Sequence, residues 1–229
     1  MIFIDRILIA DDDTDLLNTL EEYLQKKGYR VLKASSSKEA LELASTASLD
    51  CIVLDVRFPD GDGLAVCESL RRVSQVPIIF LSAYAKEDDR IRGLMAGGDD
   101  FMAKPYSLRE LELRIRIRVR RNRETETTDV LRVGELEVDS GTLEVRSGSR
   151  SVMLTVLEFD LLSFLIRHPE TVFSYEQLYD RVWGVPINRG LHNLQMCVAR
   201  VRQKLNRLCP EFQYIETVRG RGYRFRNKP

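Results

Sequence analysis

The sequence lacks a long apolar run: none approaches the roughly 18 residues that a membrane-spanning helix requires. Its N-terminus, Met1-Ile2-Phe3-Ile4-Asp5-Arg6, places charges where a signal peptide needs apolar residues, which argues against secretion. The four cysteines, at 51, 67, 197 and 209, form no CxxC, so neither a zinc site nor a disulfide framework is indicated. No internal repeat or low-complexity tract interrupts the chain. Net charge of either sign is absent as well: 35 basic side chains balance 35 acidic ones, and that total by itself gives no ground for a nucleic-acid partner. These absences leave a reduced, cytoplasmic, folded protein with no membrane partner as the expectation. With 229 residues, 44% hydrophobic and 31% charged, the chain can bury a core and stay soluble. At about 150 residues per domain, one large domain or two small ones are expected.

The first half alternates. Short β-branched runs at Arg6–Ala10, Cys51–Asp55 and Pro77–Leu81 are apolar on both faces, as parallel strands covered on both sides are. Weaker strand signals lie at Tyr29–Ala34 and Phe101–Lys104. Between them run segments with helical spacing, such as Leu16, Leu20, Tyr23 and Leu24. Ser36 with Glu39 and Ser107 with Glu110 have capping-box spacing. Five strands alternating with five helices give a doubly wound α/β unit with a parallel sheet. Leu113 to Arg120 alternates strictly, which by pattern alone is a strand; the capping signal before it and the βα alternation favour a helix. As a helix it buries Leu108, Leu111, Ile115 and Val119 and leaves Leu113 and Ile117 on a second face that needs a partner surface.

Asp11-Asp12-Asp13 follows the first strand and Asp55 ends the third. The carboxyl ends of neighbouring strands form the ligand crevice of such a sheet. Crowded carboxylates repel unless a divalent cation neutralises them, and oxygen-only ligands suit Mg²⁺. Ser82 ends the fourth strand with a hydroxyl, Ala83 beside it leaves room, and Lys104 ends the fifth with a point charge. A carboxylate nucleophile with a metal, an ammonium and a hydroxyl around it is the chemistry of aspartyl phosphate formation. An EF-hand loop fails because Leu16 stands where glycine is required, and a haloacid-dehalogenase-type phosphatase fails because Asp15 occupies its Thr/Val position.

The runs Ile-Leu-Ile-Ala-Asp-Asp-Asp, Val-Leu-Asp55-Val-Arg-Phe-Pro-Asp-Gly-Asp-Gly, Phe-Leu-Ser82-Ala and Gly-Asp-Asp-Phe101-Met-Ala-Lys104-Pro105 resemble the receiver domain of two-component response regulators, over about residues 5–121. The resemblance implies a flavodoxin-like five-stranded sheet of order 2-1-3-4-5. It implies that Asp55 accepts a phosphoryl group from a sensor histidine kinase. Asp11, Asp12, Asp55 and the backbone carbonyl of Arg57 would hold Mg²⁺. Ser82 and Phe101 would be the switch pair, the ring moving inward, and the Lys104-Pro105 peptide would be cis. Arg57 departs from the methionine often found there, which leads us to expect an altered phosphoryl lifetime. The family's dimer face carries over as Ile91, Leu94 and Leu113, with cross-subunit pairs of Arg90 with Glu110 and Asp100 with Arg114, so a homodimer on phosphorylation is expected.

Asn122 to Asp129 is polar and reads as a linker. It separates a unit at 1–121 from one at 130–229. In the second, short strands fill 130–154 and three helices follow, Thr155–Arg167, Ser174–Trp183 and about Leu191–Arg207, before two closing strands around a glycine turn. Thr155 with Glu158 and Ser174 with Gln177 have capping-box spacing. The last helix repeats apolar residues at 191, 194, 198, 201, 205 and 208. Its other face carries His192, Met196, Ala199, Arg200, Gln203 and Arg207, flanked by Arg202 and Lys204, and suits a major groove. The closing turn puts Arg219 and Arg221 at a hairpin tip, a shape for a narrow minor groove.

Leu154-Thr155-x-x-Glu158-Phe159, Val182-Trp183-Gly184, Arg200-Val201-Arg202-x-Lys204-Leu205 and Thr217-Val218-Arg219-Gly220-x-Gly222-Tyr223 resemble the OmpR/PhoB-type α+β winged-helix effector. The resemblance implies a dimer on direct-repeat double-stranded DNA, with Arg200, Arg202, Lys204, Thr217, Arg219 and Arg221 at the DNA and Trp183 beside its backbone. RNA polymerase is the implied downstream partner. The start of the helix departs from the family's charged run, so the target sequence cannot be borrowed. Net neutrality proves to be an average: residues 1–122 hold 19 basic and 21 acidic side chains, 123–187 hold 6 and 12, and 188–229 hold 10 and 2. The local charge is what a phosphate meets, because screening acts over about 8–10 Å. The reading is a phosphorylation-controlled DNA-binding regulator; the alternative is a phosphorylation-independent regulator whose receiver only dimerises. It is not an enzyme beyond its own aspartyl phosphorylation and dephosphorylation.

Overall fold

The computed structural model describes residues 4–83, 92–124, 130–184 and 191–227, with the side chains of 120–124 excepted. The chain divides into two units, residues 1–120 and 121–229.

In the first unit a five-stranded parallel sheet is built from β1 (Arg6–Ala10), β2 (Arg30–Ala34), β3 (Cys51–Asp55), β6 (Ile78–Ser82) and β7 (Asp100–Ala103), in the order β2-β1-β3-β6-β7. Two two-residue strands, β4 (Arg57–Phe58) and β5 (Gly61–Asp62), pair only with each other, so the main sheet has the order expected from the sequence. Alternate residues of each strand point to opposite faces. Leu8, Ile52, Leu54 and Phe80 join one buried cluster with Leu64 and Leu70 of α3 (Gly63–Leu70). Ile7, Ile9, Val53 and Ile79 join a second with Leu17, Leu20 and Leu24 of α1 (Thr14–Lys26) and Leu111, Ile115 and Val119 of α4 (Leu108–Glu124). Both faces are thus covered, which is why the strands are apolar throughout. At roughly 1.5–3 kcal/mol per fully buried aliphatic side chain, these two clusters are the main stabilising term.

The alternating segment is helical. Leu113 and Ile117 are half-buried, and α4 runs through Asn122 and Arg123 to Glu124, since neither glycine nor proline stops it. The capping signals are only half realised in this unit. Ser36 caps α2 (Ser37–Thr46) by accepting from the Glu39 N–H, but the Glu39 carboxylate accepts from the Ser35 N–H instead. Likewise the Ser107 hydroxyl accepts from the Glu110 N–H, while Glu110 turns to Arg114. Asp60 completes the α2 terminus by accepting from the N–H groups of Ser37 and Lys38.

The second unit opens with an antiparallel sheet, β8 (Val130–Val133), β9 (Leu136–Asp139), β10 (Glu144–Ser147) and β11 (Arg150–Met153). Helices α5 (Val156–Ile166), α6 (Tyr175–Trp183) and α7 (Leu191–Leu208) follow. A three-stranded sheet of β12 (Val172–Phe173), β14 (Gly222–Phe225) and β13 (Ile215–Val218) closes the winged-helix fold. Both capping boxes here are complete, Thr155 with Glu158 and Ser174 with Gln177. Of the apolar stripe on α7, Leu194, Val198, Val201, Leu205 and Leu208 are buried. Leu191, the first residue of α7, is exposed, whereas Leu194 three residues on is already buried. Gly222 lets β14 approach β12: its φ is +140°, and a Cβ there would sit 1.8 Å from the Phe173 carbonyl oxygen.

Candidate metal centre and nucleic-acid interface

The carboxyl ends of β1, β3 and β7 bring the acidic residues and the lysine together. Asp11 follows β1, Asp55 ends β3, and the two strands are direct neighbours. Carboxylate oxygens of Asp11, Asp12 and Asp55 lie within 4.8 Å of one another. The Lys104 ammonium, just past β7, donates to Asp11 Oδ2 and to Asp55 Oδ2, each at 2.5 Å. One ammonium against three carboxylates leaves two negative charges, and hard oxygen donors at this spacing fit a divalent cation such as Mg²⁺. Burial, helped by the Asp55 charge, outweighs the Lys104 and Asp13 hydrogen bonds and holds the Asp11 carboxyl above the usual range. For Lys104, burial would lower the ammonium pKa, but its bonds to Asp11 and Asp55 raise it, so it stays charged. The third aspartate of the run serves the helix instead. Asp13 caps α1, accepting from the N–H groups of Asp15 and Leu16.

Backbone geometry holds Asp55 in place. The Arg57 N–H donates to Asp55 Oδ1 at 3.0 Å, while the Arg57 side chain is exposed. Gly63 lies against the Asp55 backbone; a Cβ there would be 2.0 Å from the Asp55 carbonyl oxygen. Ser82 is buried at the end of β6, and its carbonyl accepts from the Lys104 N–H at 2.7 Å. Phe101 is buried beside Phe80 and Gly93, so its ring is already inward in this structure. The Lys104-Pro105 peptide is cis, as expected. Sequence reasoning missed Tyr106. Its hydroxyl is buried with no hydrogen-bond partner among the described residues, and burial pushes its pKa up to about 12. Its position directly after Lys104-Pro105 was the available signal.

In the second unit the basic residues are divided by partner. Glu158 is 1% exposed, and its carboxylate pairs with Arg200 Nε at 3.2 Å and Lys204 Nζ at 2.6 Å. It also accepts from the Thr155 N–H at 2.9 Å. Burial alone would raise the Glu158 carboxyl, but Arg200, Lys204 and the Thr155 N–H outweigh it and hold it below the usual range. Arg202 donates to the Ile215 carbonyl and to the exposed Thr217 hydroxyl, and stacks over Tyr223. Trp183 is buried and stacked on Tyr179 at 4.6 Å, so the indole is core. Arg219 and Arg221 are exposed at the hairpin tip, and Arg207 is exposed near the end of α7. Ala199 and Gln203 are exposed, and His192, Gln195 and Met196 half-buried, on the same helix.

Residues 7–116 match the family of response regulator receiver domains, and 149–225 the C-terminal domain family of transcriptional regulatory proteins. The transcriptional regulatory protein SrrA of Staphylococcus aureus is 37% identical over 230 residues, spanning 97% of this chain and 95% of SrrA. The chain is a response regulator of the OmpR/PhoB family. A solved structure of a RitR mutant superposes with a TM-score of 0.79 at 26% identity, over 98% of this chain and 100% of that one. DrrB, an OmpR/PhoB homologue from Thermotoga maritima, superposes with a TM-score of 0.51 at 26% identity, over 98% and 100%. This response regulator therefore carries a receiver domain and a DNA-binding transcriptional regulatory domain. No helix among the described residues is long and apolar enough to cross a membrane.

Residues expected at the receiver's dimer face have contacts within one chain. Leu94 is 1% exposed and belongs to the core, so it offers no contact surface; Met95 beside it is 67% exposed. Asp100 and Arg114 pair within one chain at 2.6 Å, with Asp100 fully buried, and the buried Arg118 adds a 3.5 Å contact to the same oxygen. Glu110 also pairs with Arg114 in the same chain, at 2.8 Å. Arg90 and Ile91 lie outside the described residues.

Proposed function

We propose that this response regulator accepts a phosphoryl group on Asp55 from a sensor histidine kinase, and that the phosphorylated form dimerises and binds direct-repeat DNA to control transcription. The observation that carries the reading is the Lys104 ammonium held between Asp11 and Asp55, 2.5 Å from each, with Asp12 beside them. An Asp55 oxygen attacks phosphorus as the P–N bond of the donor phosphohistidine breaks, and the imidazole leaves and takes up a proton. Lys104 then exchanges its contact with Asp55 for a phosphoryl oxygen, and the Ser82 hydroxyl donates to a second one. Asp11, Asp12, Asp55 and the Arg57 carbonyl would hold Mg²⁺, which when bound neutralises charge on the phosphoryl oxygens. Arg219 and Arg221 would enter the minor groove while α7 lies in the major groove, and RNA polymerase would be the partner downstream. The reading places the protein in the cytoplasm.

Complete retention of Asp11, Asp12, Asp55, Ser82 and Lys104 favours phosphorylation over a receiver used only for dimerisation. The test is incubation with Mg²⁺ and a small phosphodonor, followed by mass measurement, sedimentation and DNA titration. One phosphoryl group on Asp55, with tighter self-association and DNA binding, is expected. Uptake of none, or uptake without change in association, contradicts the proposal.

A further inference from the structure

Helix α7 carries four cations in its second half, yet three of them are committed inside the domain. Arg200 and Lys204 hold the buried Glu158, and Arg202 is bonded to Ile215 and Thr217. Removing either cation from Glu158 would leave a buried carboxylate short of a partner, which is strongly unfavourable. The fourth, Arg207, is 16 residues beyond the start of the helix, or about 24 Å along its axis. A recognition helix of this type reads base edges mainly with its N-terminal residues. Bidentate Arg–guanine contacts are therefore not what this helix presents to the groove.

What it presents there holds no lysine or arginine. His192, Met196, Ala199 and Gln203 follow one another at spacings of four, three and four, along a line opposite the buried stripe. Gln195 flanks that line and is half-exposed. A carboxamide offers one acceptor and one donor, matching the N6 donor and N7 acceptor of adenine. Methionine and alanine side chains offer apolar surface suited to the thymine methyl group.

We infer that α7 reads A·T pairs, with Gln195 as the adenine-reading residue and Met196 and Ala199 in contact with thymine methyl groups. The inference rests on the DNA-binding reading above and specifies its target class. The phosphorylated full-length protein is selected against a random duplex library, in parallel with Gln195→Ala and Gln195→Arg. Wild type should enrich a motif with an A·T pair at one defined position. Gln195→Ala should reduce that preference about 5- to 150-fold, and Gln195→Arg should convert the same position to guanine. Gln195 is polar, half-exposed and outside the core, and thermal melting of both variants checks that the fold is kept. A wild-type motif with guanine at that position, or one unchanged in Gln195→Ala, overturns the inference and leaves DNA binding standing. No enriched motif in wild type overturns the DNA-binding reading and the inference together.

Discussion

Replacing Glu158 with glutamine should destabilise the C-terminal domain by about 3 kcal/mol, the lower part of the range for breaking a buried ion pair. The carboxylate is 1% exposed and neutralises two cations, Arg200 at 3.2 Å and Lys204 at 2.6 Å. Glutamine keeps the capping box, because its amide oxygen can still accept from the Thr155 N–H, so the substitution isolates the charge. The two cations are themselves partly exposed, at 12% and 24% of their side chains, and can turn toward water, which limits the loss. For a domain of this size about 3 kcal/mol corresponds to a melting temperature lower by roughly 10–20 °C. Calorimetry of the full chain, with hydrogen exchange on α5 to assign the transition, measures it. Glu137→Gln serves as the control: its partner Arg132 is largely exposed, and the transition should stay where it is. A Glu158→Gln protein that melts with wild type refutes the reasoning and returns Arg200 and Lys204 to the DNA-contacting set.

The same carboxyl gives a pH prediction. Because Glu158 has a folded pKa below its unfolded value of about 4.3, its stabilisation is full above that value and is lost as pH falls through the folded one. Denaturant midpoints of the C-terminal domain should therefore fall in acid, and fall less in Glu158→Gln. Gly63→Ala places a Cβ 2.0 Å from the Asp55 carbonyl oxygen, so the loop must shift; a loss of about 1–3 kcal/mol and slower phosphoryl uptake are expected from melting and phosphodonor assays. Salt titrations of DNA affinity should separate the arginines: Arg219→Ala should reduce the log–log slope by about 0.9, while Lys204→Met, whose ammonium faces Glu158, should leave the slope unchanged.

The receiver fold was legible in the sequence because its signals are local. Ile7 to Ala10 and Ile52 to Leu54 must be apolar on both faces in a covered parallel strand, and Asp11, Asp55, Ser82 and Lys104 sit at strand ends. What stayed hidden depends on pairing between distant residues. Arg118 stands among the alternating arginines of α4 as though solvated, yet it is buried because Asp100 on β7 supplies its counter-charge. Arg200 and Lys204 read as a DNA face, and only the spatial position of Glu158, 42 residues before Arg200, turns them inward. Leu94 and Met95 are adjacent apolar residues, and the helical phase that buries the first and exposes the second depends on packing against the core.

The central claim is that one carboxylate, Asp55, controls DNA binding by carrying a phosphoryl group. Its most direct test is DNA affinity of wild type and Asp55→Asn, each measured with Mg²⁺ before and after treatment with a small phosphodonor. The account predicts that wild type gains one phosphoryl group and binds more tightly, while Asp55→Asn gains neither. Equal affinity of treated and untreated wild type, with Asp55 fully phosphorylated, would contradict it.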